Sequence, residues 1–168
     1  MPNHCRSGHD GFTLLNGTGA NRRSPKSASG GSIVSEDIRA IVDGYCRTWD
    51  AGAPEGLIDE VFSVDTIDHN PQPGQGPGID GVKMIIGLYH AVFTDLRVTN
   101  EDMLVEGNRG TLRWSATGTH EGDQLGIPAT HRTVRLTGID IVRIEHGQVV
   151  ERWGESNGLE MMQQLGAS

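Results

Sequence analysis

Hydrophobic positions in the first half of the chain recur with a helical period. Ser35, Glu36 and Asp37 suit the cap and the acidic first turn of a helix. The apolar residues that follow are spaced three and four apart, at Ile38, Ile41, Val42, Tyr45, Cys46 and Trp49. A short second helix is predicted from Pro54, and a third over residues 81–93.

In the second half the hydrophobic period changes to two. Turns rich in Gly and Asn separate the segments, and a last short helix is predicted over residues 159–165. Strands are predicted over residues 66–69, 95–106, 111–120, 133–145 and 149–155. This order predicts an α+β fold, a curved antiparallel sheet with helices packed on one face and a cone-shaped cavity at one end.

The longest predicted strand, residues 133–145, carries an acid on its apolar face. At period two, Asp140 shares a face with Val134, Leu136, Val142 and Ile144. Loss of solvation there would raise the pKa of the carboxyl group, and such a group is a candidate general acid or base. Two other interpretations stay open: a structural pair with an arginine or the backbone, or a β-bulge that turns Asp140 outward.

Two histidines are further candidates for chemistry. Asp68 and His69 are adjacent on a short strand, so we expect one of them to face inward, beside a rigid Pro/Gly loop. His120 shares its predicted face with Leu112 and Trp114 at the far end of a strand. A structural role is the usual one for each histidine.

Composition narrows the function classes. The chain has 168 residues and a formal net charge of −8, which disfavours nucleic acids and anionic membranes as partners. No apolar run reaches membrane-spanning length, and two cysteines form neither a disulfide framework nor a metal-ligand cluster, so a cytoplasmic location is expected. Residues 1–33 are rich in Gly, Ser, Asn and Arg and are predicted to be a disordered tail before one domain, residues 34–168.

Several short segments also occur in the order known from one family. They are Asp68-His69 before the Pro/Gly loop, residues 78–82, 93–98, 117–122, 126–130, 138–140, 147–153 and 164–166. Over residues 34–166 the chain therefore resembles the SnoaL-like polyketide cyclases, or ester cyclases, of the nuclear-transport-factor-2-like fold. Two positions depart from the family pattern: His131 replaces a turn glycine, and Asn157 replaces an aspartate.

The resemblance implies a cone-shaped α+β barrel that forms a homodimer, acts on a small polyketide-like or apolar ester, and uses neither cofactor nor metal. Asp140 matches the acid/base of an intramolecular aldol closure, with His120 or His69 assisting. The expected apolar walls of the substrate site are Tyr45, Trp49, Trp114 and Trp153.

Other functions on the same cone remain open. An epoxide hydrolase needs two carboxylates and an arginine, but Arg113 and Arg135 are poorly placed for Asp140 by strand parity. Dehydratases and isomerases are also hosted by related cones. A non-catalytic small-molecule binder or dimerisation module is the alternative outside enzymes.

Overall fold

The computed structural model describes residues 35–166. The predicted tail, residues 1–33, lies outside the described residues. The helices and strands run in the order α1 (Ser35–Thr48), α2 (Leu57–Val61), β1 (Phe62–Asp68), α3 (Gly78–Val92), β2 (Arg97–Glu106), β3 (Arg109–Thr119), β4 (Thr133–Glu145), β5 (Gln148–Ser156) and α4 (Gly158–Leu165).

The strands form one five-stranded sheet in the order β1-β5-β4-β3-β2. The α+β architecture, with a curved sheet that carries its core on one face, confirms the predicted fold, and the sheet is not closed. One pairing departs from the expected antiparallel pattern, because β1 runs parallel to β5. A parallel neighbour requires a long crossover, and the whole chain between β1 and β5 supplies it.

Helix α1 forms as its hydrophobic period predicts. Glu36 and Asp37 lie in its first turn, where the helix dipole favours acids. Its buried residues face the sheet, and they are Ile38, Val42, Tyr45, Cys46 and Thr48. Burial of this stripe, at roughly 25 cal/mol per Å² of apolar surface, stabilises the contact of α1 with β2 and β3. The helix thereby fixes Tyr45 over the middle of the sheet.

Two hydrophobic clusters fill the space between helices and sheet. One lies around α1, α2 and the β4–β5 hairpin, with Phe62, Val142 and Val149 among its members. The other lies around the end of α3 and α4, with Phe93 and Leu136 among its members. Trp114 borders both clusters, so the cavity described below lies where they meet.

Tight turns set the register of the long strands. His146 and Gly147 both have positive φ, 52° and 83°, as a two-residue hairpin turn requires. His131 has φ 54°, so the position where the family pattern has a turn glycine keeps the left-handed conformation with a histidine in place. Along β4 this register sets Asp140 opposite Leu112 on one side and Gly154 on the other.

Candidate active site

Asp140 faces the interior, as the period of β4 predicts. The burial pattern alternates along the strand, and Asp140 is only 3% exposed. Gly154 lies opposite it on β5, and a Cβ atom there would stand 2.1 Å from Asp140 Oδ1. Absence of a side chain at this one position therefore creates the space for the carboxylate.

A network of hydrogen bonds holds the carboxylate. The Tyr45 hydroxyl donates to Asp140 Oδ2 at 2.6 Å, and Arg152 Nη2 donates to Asp140 Oδ1 at 3.1 Å. Arg152 Nε donates to Tyr45 Oη at 3.0 Å. The second terminal nitrogen, Arg152 Nη1, donates to both oxygens of Asp68 at 3.1 and 3.0 Å. Arg152 thus bridges two carboxylates, and Tyr45 joins the bridge to Asp140.

Burial and charge act on Asp140 in opposite directions. Burial raises the pKa of its carboxyl group, while the Arg152 charge and the hydrogen bond from Tyr45 lower it, and the net direction is upward. Burial likewise raises the pKa of Tyr45, which keeps the hydroxyl a donor. Burial alone would lower the pKa of Arg152, but nearby Tyr45, Asp140 and Asp68 outweigh it and keep the guanidinium charged.

The network forms part of the wall of a mostly apolar cavity. Gln72 and Gln75, from the Pro/Gly loop, border it near Asp68, and Gln75 Nε2 donates to Asp68 Oδ2 at 3.0 Å. The apolar and aromatic lining consists of Tyr45, Cys46, Trp49, Ile85, Tyr89, Leu96, Val98, Leu112, Trp114, Ala116 and Leu136. The structure therefore brings the predicted residues Asp140, Tyr45, Trp49 and Trp114 together around one space.

The structure places His69 and Trp153 on the opposite face of the sheet, which corrects the expectation that they line the cavity. Their rings stack with centroids 4.4 Å apart, and His69 Nε2 lies 3.3 Å from a carboxylate oxygen of Glu151. Neither residue lines the cavity. On β1 the inward member of the adjacent pair is Asp68, because neighbouring strand residues point to opposite faces.

His120 is buried but lies away from Asp140. Its side chain is 0% exposed, it forms an isolated bridge with Phe93, and it does not line the cavity. The Thr130 N–H donates to His120 Nδ1 at 3.2 Å, and the Thr130 hydroxyl lies 3.1 Å from the same nitrogen. This geometry anchors the loop after β3, and the structure does not bring His120 to the acid that it was predicted to assist.

Comparison with known proteins assigns the family. The sequence profile of the SnoaL-like polyketide cyclases matches residues 39–165, most of the described chain. The chain belongs to this family. Among functionally curated proteins, none matches it.

Solved structures of similar proteins support the fold of this SnoaL-like chain. TsrD from Streptomyces laurentii is 28% identical with a TM-score of 0.72, and the match covers 80% of this chain and 98% of TsrD. A proposed polyketide cyclase from Bacillus cereus is 27% identical, with a TM-score of 0.68 and coverage of 78% and 81%. IdmH from Streptomyces antibioticus, also a proposed polyketide cyclase, is 26% identical, with a TM-score of 0.67 and coverage of 77% and 98%.

Two further observations concern the described part of this SnoaL-like chain. None of its helices is long and apolar enough to cross a membrane. Within residues 35–166, no group of three or more His, Cys, Asp or Glu side chains is arranged to hold a metal ion.

Arg152 and Asp68 complete the candidate site; sequence reasoning missed Arg152, and it expected either Asp68 or His69 to face inward but gave the functional role to His69. Strict alternation from buried Val149 would turn Arg152 outward and Trp153 inward. The register between β4 and β5 shifts between Arg143 and Ile144, where Val150 has no partner. This bulge reverses the parity of the rest of β5 and brings Arg152 inward. The bulge can be seen only in the pairing of β4 with β5. The one sequence signal was an arginine on the predicted strand that comes directly after the strand with Asp140.

Proposed function

We propose that this chain catalyses an intramolecular aldol ring closure of a neutral polyketide-like ester, with Asp140 as the acid and base. The supporting observation is a buried carboxyl group in the wall of a mostly apolar cavity, with a raised pKa and a hydroxyl donor 2.6 Å away. A raised pKa brings a carboxyl group closer to working pH, where it both accepts and returns a proton effectively.

The reaction needs one proton taken and one returned. Ionised Asp140 removes a proton from the carbon between two carbonyl groups, so the C–H bond breaks and an enolate forms. The enolate carbon attacks a ketone of the same molecule, which forms the C–C bond and leaves an alkoxide. Protonated Asp140 then donates its proton to the alkoxide. Tyr45 and Arg152 hold the carboxylate in place through both transfers.

Charge in the cavity favours an uncharged substrate. The acids and the guanidinium that line it are Asp68, Asp140 and Arg152, a formal charge of −1 when all are ionised. The guanidinium is already bound to both carboxylates. A substrate carboxylate would find no free cation among the described lining residues and would be repelled. This supports an ester over the corresponding acid.

The proposal is tested by turnover without added cofactor. Wild-type protein is incubated with a panel of neutral aryl 1,3-diketone esters, each carrying a second ketone within reach for a six-membered ring. Chromatography with mass detection should find an isomer of unchanged mass, or the same product after loss of water. No turnover of any ester above the buffer rate would contradict the proposal.

The Asp68–Arg152–Asp140 bridge supports a second candidate, an epoxide hydrolase. That reaction uses two carboxylates and an arginine, one carboxylate taking a proton from water and the other protonating the opening epoxide. The arginines considered from sequence, Arg113 and Arg135, are not the ones that contact Asp140. Arg152 instead lies 3.1 Å from Asp140 and 3.0 Å from Asp68.

One substitution separates the two candidates. Asp68→Asn removes the second carboxylate and leaves Asp140 with both of its donors. A cyclase that works through Asp140 should keep its kcat within about tenfold, whereas a two-carboxylate hydrolase should lose about 10²–10⁴. The wild-type protein is also incubated with an aryl epoxide in ¹⁸O-water. Formation of a diol that carries one ¹⁸O atom would favour the hydrolase.

We also propose that the outer face of the sheet forms the homodimer interface. Exposed apolar side chains lie together there, with Ile139 and Ile67 each 52% exposed and Ile141 37% exposed. Trp153 pairs with Ile141 across the strands and extends the patch. Ile139→Asp should convert a dimer to a monomer in light scattering, while Leu159→Asp on α4, 75% exposed, should not. A monomeric wild type would contradict the proposal.

A further inference from the structure

Trp114 carries a hydrogen-bond donor that the network around Asp140 leaves unused. Its indole Nε1 is buried and has no hydrogen-bond partner within the described residues. The ring also lines the cavity. A buried donor without an acceptor lowers the stability of the fold by about 1–3 kcal/mol. An unsatisfied N–H of this kind therefore needs an explanation.

The position of the ring shows which way this donor faces. A Cβ atom on Gly138 would stand 2.4 Å from Trp114 Cζ2 and 2.7 Å from Cε2. The edge of the indole that bears the nitrogen therefore lies over Gly138, on the β4 side of Trp114 and away from β2. The next inward residue along β4 is Asp140. The Trp114 N–H also contributes to lowering the pKa of Asp140, which agrees with this direction.

The other donors to Asp140 are tied to further groups. Tyr45 donates to Asp140 while it accepts from Arg152 Nε, and Arg152 is also bound to both oxygens of Asp68. Neither can move without breaking a second bond. The Trp114 N–H makes no other bond within the described residues, so it can approach or leave the carboxylate at little cost.

We propose that Trp114 is a positioning residue for the acid, whose indole N–H donates to the ionised carboxylate of Asp140 and withdraws from the protonated one. This rests on the proposed acid/base function. The N–H stabilises the charged form that removes the substrate proton, and it releases the carboxyl group once that group must act as an acid. The other titratable side chains that line the cavity are Tyr45 and Cys46 of α1, Asp68 of β1, Tyr89 of α3 and Arg152 of β5.

The first test needs no substrate. Three tryptophans give three indole N–H signals in ¹⁵N-labelled protein, and each Trp→Phe variant assigns one. The Trp114 signal should move with pH as Asp140 ionises, and Asp140→Asn should abolish that movement. The Trp153 signal, whose ring stacks on His69 and does not line the cavity, should behave in the same way in both proteins. A Trp114 signal that does not titrate with Asp140 would overturn the proposal.

The second test compares pH–rate profiles of kcat/KM for an ester that wild type turns over. Without the N–H, ionisation of Asp140 requires a higher pH, so Trp114→Phe should lose about three- to tenfold on the acidic limb and little at high pH. The matched variant Trp153→Phe, on the outer face, should keep the wild-type profile. A uniform loss at every pH would mean that Trp114 only packs, and would overturn the proposal.

The two tests keep this inference separate from the proposed function. If no ester is turned over, the cyclase function fails, while the indole titration still decides whether Trp114 follows the charge of Asp140. If turnover depends on Asp140 but the acidic limb does not move in Trp114→Phe, the function stands and the role of Trp114 fails.

Discussion

Asp140 combines deep burial with an ion pair, and the two act on its pKa in opposite directions. Burial disfavours the carboxylate, and the bonds from Arg152 and Tyr45 favour it. Burial has the largest effect on the pKa of Asp140 and outweighs the lowering by Arg152 and Tyr45, so the net direction is upward. A buried carboxyl group with a raised pKa on a cavity wall is a candidate for proton transfer.

The raised pKa of Asp140 predicts how stability depends on pH. A folded-state pKa above the unfolded value of about 3.9 means that the folded protein holds this proton more tightly. The contribution to stability is complete below about pH 3.9 and is lost as pH rises through the raised pKa. We expect the free energy of unfolding of wild type to fall, relative to Asp140→Asn, across that window in urea unfolding.

Asp95 provides a control of opposite sign. The Thr119 backbone N–H and hydroxyl donate to its carboxylate and lower its pKa. Its contribution is therefore present above about pH 3.9 and lost as pH falls through the lowered pKa. Asp95→Asn should differ from wild type least at the acidic end. Equal pH dependence of wild type and Asp140→Asn would contradict the assigned direction at Asp140.

Tyr45→Phe removes the hydroxyl that links the two charged groups. Arg152 Nε loses its acceptor and Asp140 loses its shortest hydrogen bond, both in a buried site. We expect a loss of about 1–3 kcal/mol in the free energy of unfolding, measured in urea. Tyr89→Phe, at the other tyrosine of the cavity, should lose less than about 1 kcal/mol. Equal losses would mean that the Tyr45 hydroxyl bonds contribute nothing specific.

At the scale of elements, β4 and β5 together form the site. Regular alternation on β4 brings Asp140 inward, the bulge on β5 brings Arg152 inward, and Gly154 leaves room for both side chains. A Cβ atom at Gly154 would stand 2.1 Å from Asp140 Oδ1 and 2.2 Å from Arg152 Nη2. Both obstructing atoms end flexible side chains, so the fold can accept a methyl group there while the ion pair cannot.

Gly154→Ala should therefore abolish function more than it destabilises the fold. We expect a loss of about 1–3 kcal/mol in urea unfolding, together with loss of ester turnover by at least about tenfold. Gly87→Ala in α3 meets nothing within 4 Å and should stabilise by about 1 kcal/mol with turnover unchanged. If Gly154→Ala keeps wild-type turnover, the position of the Asp140–Arg152 pair is not required.

The elements also show what sequence could predict. On β4 the apolar residues Val134, Leu136, Val142 and Ile144 keep a period of two, and the buried position of Asp140 agrees with that pattern. On β5 one unpaired residue reverses the parity, and local sequence carries no mark of it, so Trp153 was assigned inward and Arg152 was overlooked. His120 was correctly placed on the inner face, but its partner Thr130 lies on a loop whose path no hydrophobic period describes.

At the scale of the whole molecule, the fold was predictable and the site was only partly so. The hydrophobic period of each element can be found in its own residues. The bonds from Arg152 to Tyr45 and Asp68 instead join positions 107 and 84 residues apart in sequence. Such contacts follow from tertiary packing, which a single sequence does not display. The parallel pairing of β1 with β5 has the same origin, and it is what brings Asp68 beside Arg152.

Charge at the whole-molecule scale predicts substrate choice. The chain carries a formal net charge of −8, and the ionised cavity cluster adds a local charge of the same sign. We expect an ester to be turned over with a kcat/KM about tenfold or more above its free acid, since about 1.4 kcal/mol of repulsion suffices. Competition between a matched ester and acid checks this, and preference for the acid would contradict the charge assignment.

The most direct test of the central claim is the kcat of Asp140→Asn on an ester that wild type cyclises. Asn keeps the size of the side chain and an oxygen to accept from Tyr45 or Arg152, but it cannot take a proton. The variant should fold, bind the ester and lose about 10²–10⁴ in kcat. A folded Asp140→Asn protein that cyclises the ester within about tenfold of the wild-type kcat would show that Asp140 is not the acid and base.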